Sequence, residues 1–134
     1  MTLTEQGIEE MERNKEIVRR VYDGWNRGSI DEFKDALAAD FKEHTRKGDI
    51  RDRAACIAET ERFLKNMPDA RFDVQEMIAE GDRVVVVQRF TGTMDREVRG
   101  MEPAGQKVDM REVDIYRIEG GKIAELWVFL NDAG

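Results

Sequence analysis

The chain is short of the residue types that most directly announce chemistry. A single cysteine, Cys56, excludes an intrachain disulfide. With one histidine, His44, it cannot build a zinc cage, so no metal is expected. No apolar run is long enough to span a membrane. The N-terminal stretch Gln6 to Glu16 is mostly charged and polar, so it does not read as a secretory leader, and the cytoplasm is the default expectation. Positive charge is also in deficit. Lysine and arginine number 22 against 29 acids, a net charge of −7, which argues against nucleic acid or an anionic membrane as partner. Internal repeats, linkers and low-complexity segments are absent as well.

What is present is a soluble, heavily charged sequence, 40% hydrophobic and 38% charged. Its 134 residues suit one domain, 1–134, with a real core. Thr4 can cap a helix starting near Glu5. Ile8, Met11, Ile17, Val18, Val21, Tyr22 and Trp25 then share one helical stripe that ends before Gly28. Ser29 and Glu32 form a capping-box pattern opening a short helix through Phe33, Ala36 and Leu37, closed by Ala38 to Asp40. Phe41 to His44 reads as extended, with Phe41 and Glu43 facing one way and Lys42 and His44 the other. A third helix is expected from Arg53 to Asn66, capped by Asp49 or Asp52. Helical periodicity makes Cys56 a small core residue rather than a nucleophile.

Strands follow. Phe72 to Ile78 alternates, Val84 to Phe90 is a continuous apolar run, and Asp95 to Gln106 is broken by Gly100, Pro103 and Gly105, a candidate pocket rim. The last stretch, Val108 to Asp132, is a hairpin about Gly120-Gly121. A simple two-residue turn opposes Ile118 to Ile123, Tyr116 to Glu125, Asp114 to Trp127 and Glu112 to Phe129. One face then carries Val113, Ile115, Leu126, Val128 and Leu130. The other sets Glu112 and Asp114 among Tyr116, Trp127 and Phe129. An acid beside an indole and away from water has a raised pKa, which suits acid/base chemistry in an apolar pocket; the alternative is a half-exposed strand with its acids at the wet end. The expected fold is α+β: three N-terminal helices wrapped by a curved, mostly antiparallel sheet that forms a cone with an internal cavity.

Several segments, in this order, resemble the SnoaL-like polyketide cyclases, within the wider group of cones related to nuclear transport factor 2 and ketosteroid isomerase. They are Val21 to Phe33, Ala39 to His44, Arg89 to Thr93, Pro103 to Gly105, Val113 to Arg117 and Gly121 to Trp127. The resemblance implies that Asp114 points into the cavity as an acid/base or oxyanion donor, and that His44 occupies the position of a base. It implies a cofactor-independent enzyme working by proton transfer, with cyclisation or isomerisation of an apolar carbonyl-bearing small molecule. Tyr22, Trp25, Arg89, Met94, Glu112, Tyr116, Trp127, Phe129 and Asn131 would line the substrate pocket. Met94 and Asn131 depart from residues frequent in relatives, His and Asp respectively. A non-catalytic ligand-binding or dimerising protein, and a hydrolase or dehydratase, are the alternatives on the same fold. The apolar face with Val113, Ile115, Leu126, Val128 and Leu130 points to a homodimer.

Overall fold

In a computed structural model, residues 4–94 and 105–130 are described. Helix α1 spans Glu5–Asn26, with the Thr4 hydroxyl accepting the Gly7 N–H at 3.0 Å. Its buried stripe includes Val18, Val21, Tyr22 and Trp25. The Asn26 side chain both donates to Phe72 O (2.8 Å) and accepts from Phe72 N (2.7 Å), pinning the end of α1 to the sheet. Helix α2 is only Asp31–Ala36. The expected capping box does not form: Ser29 Oγ accepts from Asp31 N, and Glu32 pairs with Arg27. Leu37 to Asp40, read from sequence as the helix's end, instead open strand β1, Leu37–His44. Strand β2 (Ile50–Asp52) has no clear sequence signal because only three residues form it. Helix α3 runs Arg53–Asn66, capped by Asp52, whose carboxylate accepts Ala55 N–H at 2.8 Å.

Strands β3 (Arg71–Glu80), β4 (Arg83–Thr93), β5 (Lys107–Glu119) and β6 (Lys122–Leu130) complete one sheet in the order β2-β1-β6-β5-β4-β3. All neighbours are antiparallel except β1 with β6. Helices cover one face: α1 lies on β3 and β4, and α3 on β1 and β2. The core sits between them, with Val84, Val86 and Phe90 of β4 facing Tyr22, Phe33, Phe63 and Phe72. This is the α+β cone expected from the sequence. Among the described residues, no helix is long and apolar enough to cross a membrane.

The hairpin register departs from the expectation in one place, and that place reorganises the face of the sheet. Gly120 and Gly121 take φ of 58° and 77°, as a primed two-residue turn requires. Ile118 then opposes Ile123, but Arg117 opposes Glu125, so Ala124 is an extra residue on β6. Such a bulge turns every later side chain to the other face. Asp114 therefore opposes Val128 rather than Trp127, and Glu112 opposes Leu130 rather than Phe129. Leu126, Val128 and Leu130 turn inward beneath the helices. Trp127 and Phe129 turn outward beside Ile115 and Val113.

Candidate active site

The inner face carries a polar group at its centre. Asp114 and Glu112 are two apart on β5, so they share a face, and Gln88 of β4 lies directly opposite Glu112. Gln88 Nε2 donates to Glu112 Oε2 at 2.8 Å and to Asp114 Oδ2 at 2.9 Å. From α1, the Tyr22 hydroxyl donates to the same Asp114 Oδ2 at 2.6 Å and lies 2.7 Å from the Tyr116 hydroxyl. Asp114 is 1% exposed and Gln88 0%. Asp114 Oδ2 thus takes two hydrogen bonds, while Oδ1 is buried with no partner among the described residues.

Burial holds the Asp114 carboxyl well above the usual carboxylate range, and the neighbouring Glu112 adds to the shift; bonds from Tyr22 and Gln88 oppose it only in part. Burial, followed by the charge of Asp114, likewise raises Tyr22 and Tyr116, so both phenols stay protonated.

Glu112, Asp114 and Tyr116 line a small cavity of about 20 Å³, room for roughly one or two waters, with Gln88 and Tyr22 behind them. Trp25, Phe33, Phe63, Phe72, Leu126 and Val128 are its apolar walls, and Glu43, Cys56, Thr60, Glu112, Asp114 and Tyr116 its polar ones. Glu43 and Val128 also line a second space of about 60 Å³ beside the β1–β2 turn, with Thr45, Lys47, Asp49, Arg51 and Leu130. Glu43 is 5% exposed and accepts from Arg51 Nη1 at 3.4 Å. Burial, with Glu43 second, pushes the Cys56 thiol up, consistent with a core residue and not a thiolate nucleophile. Among the described residues, no cluster of His, Cys, Asp and Glu could hold a metal.

Of the residues expected at the pocket, Trp25, Glu112, Asp114 and Tyr116 line this cavity, and Tyr22 lies behind it, bonded to Asp114. The structure does not bring His44 to them. His44 opposes Trp127 in the β1–β6 ladder, stacks on it (ring centroids 5.0 Å, 3° between planes) and bonds Glu125 at 2.5 Å. All three lie on the outer face, across the sheet from Asp114. The expected His44–Asp114 pair is thus corrected. The inward neighbour, Glu43, reaches the cavity instead. Trp127 leaves the pocket list for the same reason, with Arg83 4.7 Å above its ring, and so does Phe129, 53% exposed. Arg89 is outside too, exposed and held by Asp109 through two bonds of 2.7 and 2.5 Å. Met94 is buried in the core but does not line the cavity. Asn131 and the expected rim from Asp95 to Ala104 lie outside the described residues.

Sequence reasoning missed Gln88 and Glu43. Gln88 shares the buried face of β4 with Val84, Val86 and Phe90 while Arg89 points the other way, and a lone polar group on an otherwise apolar face was the available signal. Glu43 shares Phe41's face by simple alternation.

Several solved structures are similar to this chain. AclR, a candidate hydroxylase from Streptomyces galilaeus, superposes with a TM-score of 0.80 at 27% identity, over 90% of this chain and 80% of that one. A candidate SnoaL-like polyketide cyclase from Jannaschia sp. CCS1 gives 0.80 at 26%, over 90% and 87%. IdmH, a candidate polyketide cyclase from Streptomyces antibioticus, gives 0.76 at 22% over 90% and 93%, a likeness of fold. No curated protein matches the chain. The sequence profile of the SnoaL-like polyketide cyclases matches residues 15–134, nearly the full length, so the chain belongs to that family.

Proposed function

We propose that the protein is a cofactor-independent enzyme of cyclase or isomerase type, acting on a carbonyl-bearing small molecule by proton transfer. One observation carries this reading: a buried Asp114, held above the usual carboxylate range by burial, whose Oδ1 has no partner among the described residues and whose carboxyl lines the cavity. Such a group is a preorganised donor to an oxyanion. The substrate carbonyl oxygen would accept from Asp114 Oδ1–H. The ion-paired Glu43 would take the proton from the adjacent carbon, giving an enolate held by Asp114. In isomerisation, Glu43 returns that proton to a carbon further along the conjugated system. In ring closure, the enolate carbon attacks a second carbonyl, and the proton on Glu43 goes to the new alkoxide. The carbonyl end would occupy the inner cavity, with the rest of the molecule in the space beside Thr45 and Lys47. Membership of a polyketide cyclase family supports this class of substrate.

Exchange of α-protons tests the reading without the natural substrate. Cyclohexanone in deuterated buffer should lose its α-proton NMR signal faster with the protein than without. Glu43→Gln should abolish the excess rate, whereas His44→Ala should leave it unchanged. An excess rate that survives Glu43→Gln, or no excess rate at all, would sink the mechanism.

We further propose that the outer sheet face pairs two copies of the chain. Ile50, Ile78 and Phe129 are 62%, 57% and 53% exposed on this one face, next to Val113, Ile115 and Trp127, and among the described residues no helix covers it. The bulge thus replaces Leu126, Val128 and Leu130 in the expected contact with Trp127 and Phe129. Cations (Arg83, Arg117) and acids (Glu119, Glu125) share the area, so the face can complement itself across a twofold axis. Sedimentation at micromolar concentration should give a dimer, and Phe129→Glu a monomer. A monomeric wild type excludes the pairing.

A further inference from the structure

We propose that the Trp25 indole Nε1–H is the second donor to the ligand's carbonyl oxygen, so that the oxygen is held between Trp25 and Asp114. This rests on the reading of the cavity given above and names the residue that selects for an oxygen there. Trp25 is 8% exposed and lines the cavity, and its Nε1 is buried without a hydrogen-bond partner among the described residues. Among the residues lining this cavity, Trp25 Nε1 and Asp114 Oδ1 are the two such orphaned atoms. Buried donors are almost always paired, so an indole N–H left unpaired beside a cavity points to a partner that arrives with the ligand.

Tyr22 touches both residues, and both line the same cavity. The Tyr22 ring meets Trp25 edge-on at 5.2 Å and 82°, and its hydroxyl donates to Asp114 Oδ2. Phe33 and Phe72 hold the indole from other sides, with ring centroids at 5.1 and 5.3 Å. A donor fixed by three rings does not have to be ordered when the ligand binds, which favours its use in recognition. With Asp114 protonated, as the proposed function requires, both groups present hydrogen and neither offers the ligand a negative charge. The site thus selects a lone acceptor oxygen on an apolar body, a ketone or an enolate, over a hydrocarbon of the same shape.

The chain has two tryptophans, and Trp127 on the outer face is an internal control. In ¹⁵N-labelled protein, titration with cyclohexanone should shift the Trp25 indole N–H resonance saturably and leave that of Trp127 in place. Methylcyclohexane should not produce the same downfield shift. Trp25→Phe, which keeps an aromatic wall and removes the donor, should weaken cyclohexanone by roughly tenfold, the scale of one hydrogen bond, with little effect on methylcyclohexane. The wild-type titration needs no variant, so it decides the matter even if Trp25→Phe folds poorly. An unmoved Trp25 resonance, whether because cyclohexanone binds elsewhere or because it does not bind, overturns the assignment. If the resonance shifts but α-proton exchange is absent, the enzyme reading fails and the binding assignment stands. If exchange proceeds with the resonance unmoved, the assignment fails alone.

Discussion

Replacing Asp114 by Asn is expected to make the protein more stable at neutral pH while slowing α-proton exchange about tenfold, since an amide N–H in place of a carboxylic O–H is a weaker donor to the oxyanion. Both effects come from the same proton. An unfolded Asp has a pKa of about 3.9, and the folded Asp114 lies well above it. Above roughly pH 4, the unfolded chain releases this proton and the folded chain keeps it. Folding then takes up a proton, so wild-type stability falls as pH rises, by at most about 1.4 kcal/mol per pH unit, until the folded group itself ionises. Asn has no proton to lose. Its carbonyl can accept from Tyr22 and Gln88, and its amide can sit where Oδ1 sits. Urea denaturation of both proteins from pH 5 to 8 should show the variant's advantage growing with pH. A difference that stays flat would mean that Asp114 is ionised when folded.

Gln88→Leu should be the most damaging conservative change in the interior. The Gln88 amide is fully buried and is the shared donor to Glu112 and Asp114. Leucine fills similar space but leaves both carboxyl oxygens short of a donor. The expected loss is about 2–4 kcal/mol, as for removing hydrogen bonds to buried acids. Adding Asp114→Leu should recover part of it, because replacing both partners by apolar groups removes the unmet demand. A double-mutant cycle from urea melts measures the coupling. If the two changes add independently, the network does not act as a unit.

Most of the architecture was legible in the residues. The stripe from Val18 to Trp25, the Asp52 cap and the Gly-Gly turn follow from rules that act within a few residues, and the structure obeys them. The placement of Asp114 followed too, since alternation within β5 puts it with Glu112 and Tyr116 whatever β6 does. The error arose where a long-range fact decided the outcome. Nothing in Lys122 to Leu126 marks Ala124 as an extra residue, because alanine fits either face, and a single bulge moved Trp127, Phe129 and the proposed dimer face together. His44 failed differently. Alternation had already set it opposite Glu43, but the family resemblance matched a segment, and one residue along a strand is the other side of the sheet. Leu37 to Asp40 went to the helix because Ala-Ala favours helix locally. Pairing with β6 overrode that preference.

The parallel β1–β6 pairing also has a consequence for how the protein is made. His44 waits for Glu125, 81 residues later, and Tyr22 for Asp114, 92 residues later. At ribosomal speeds of about 5–20 residues per second, β1 emerges roughly 4–16 seconds before its neighbour in the sheet. Through that interval the nascent chain carries an unmatched strand edge, the kind of surface that recruits chaperones or other copies. The acid site therefore forms late in synthesis, and a cell that translates this message faster shortens the time for which the chain is at risk.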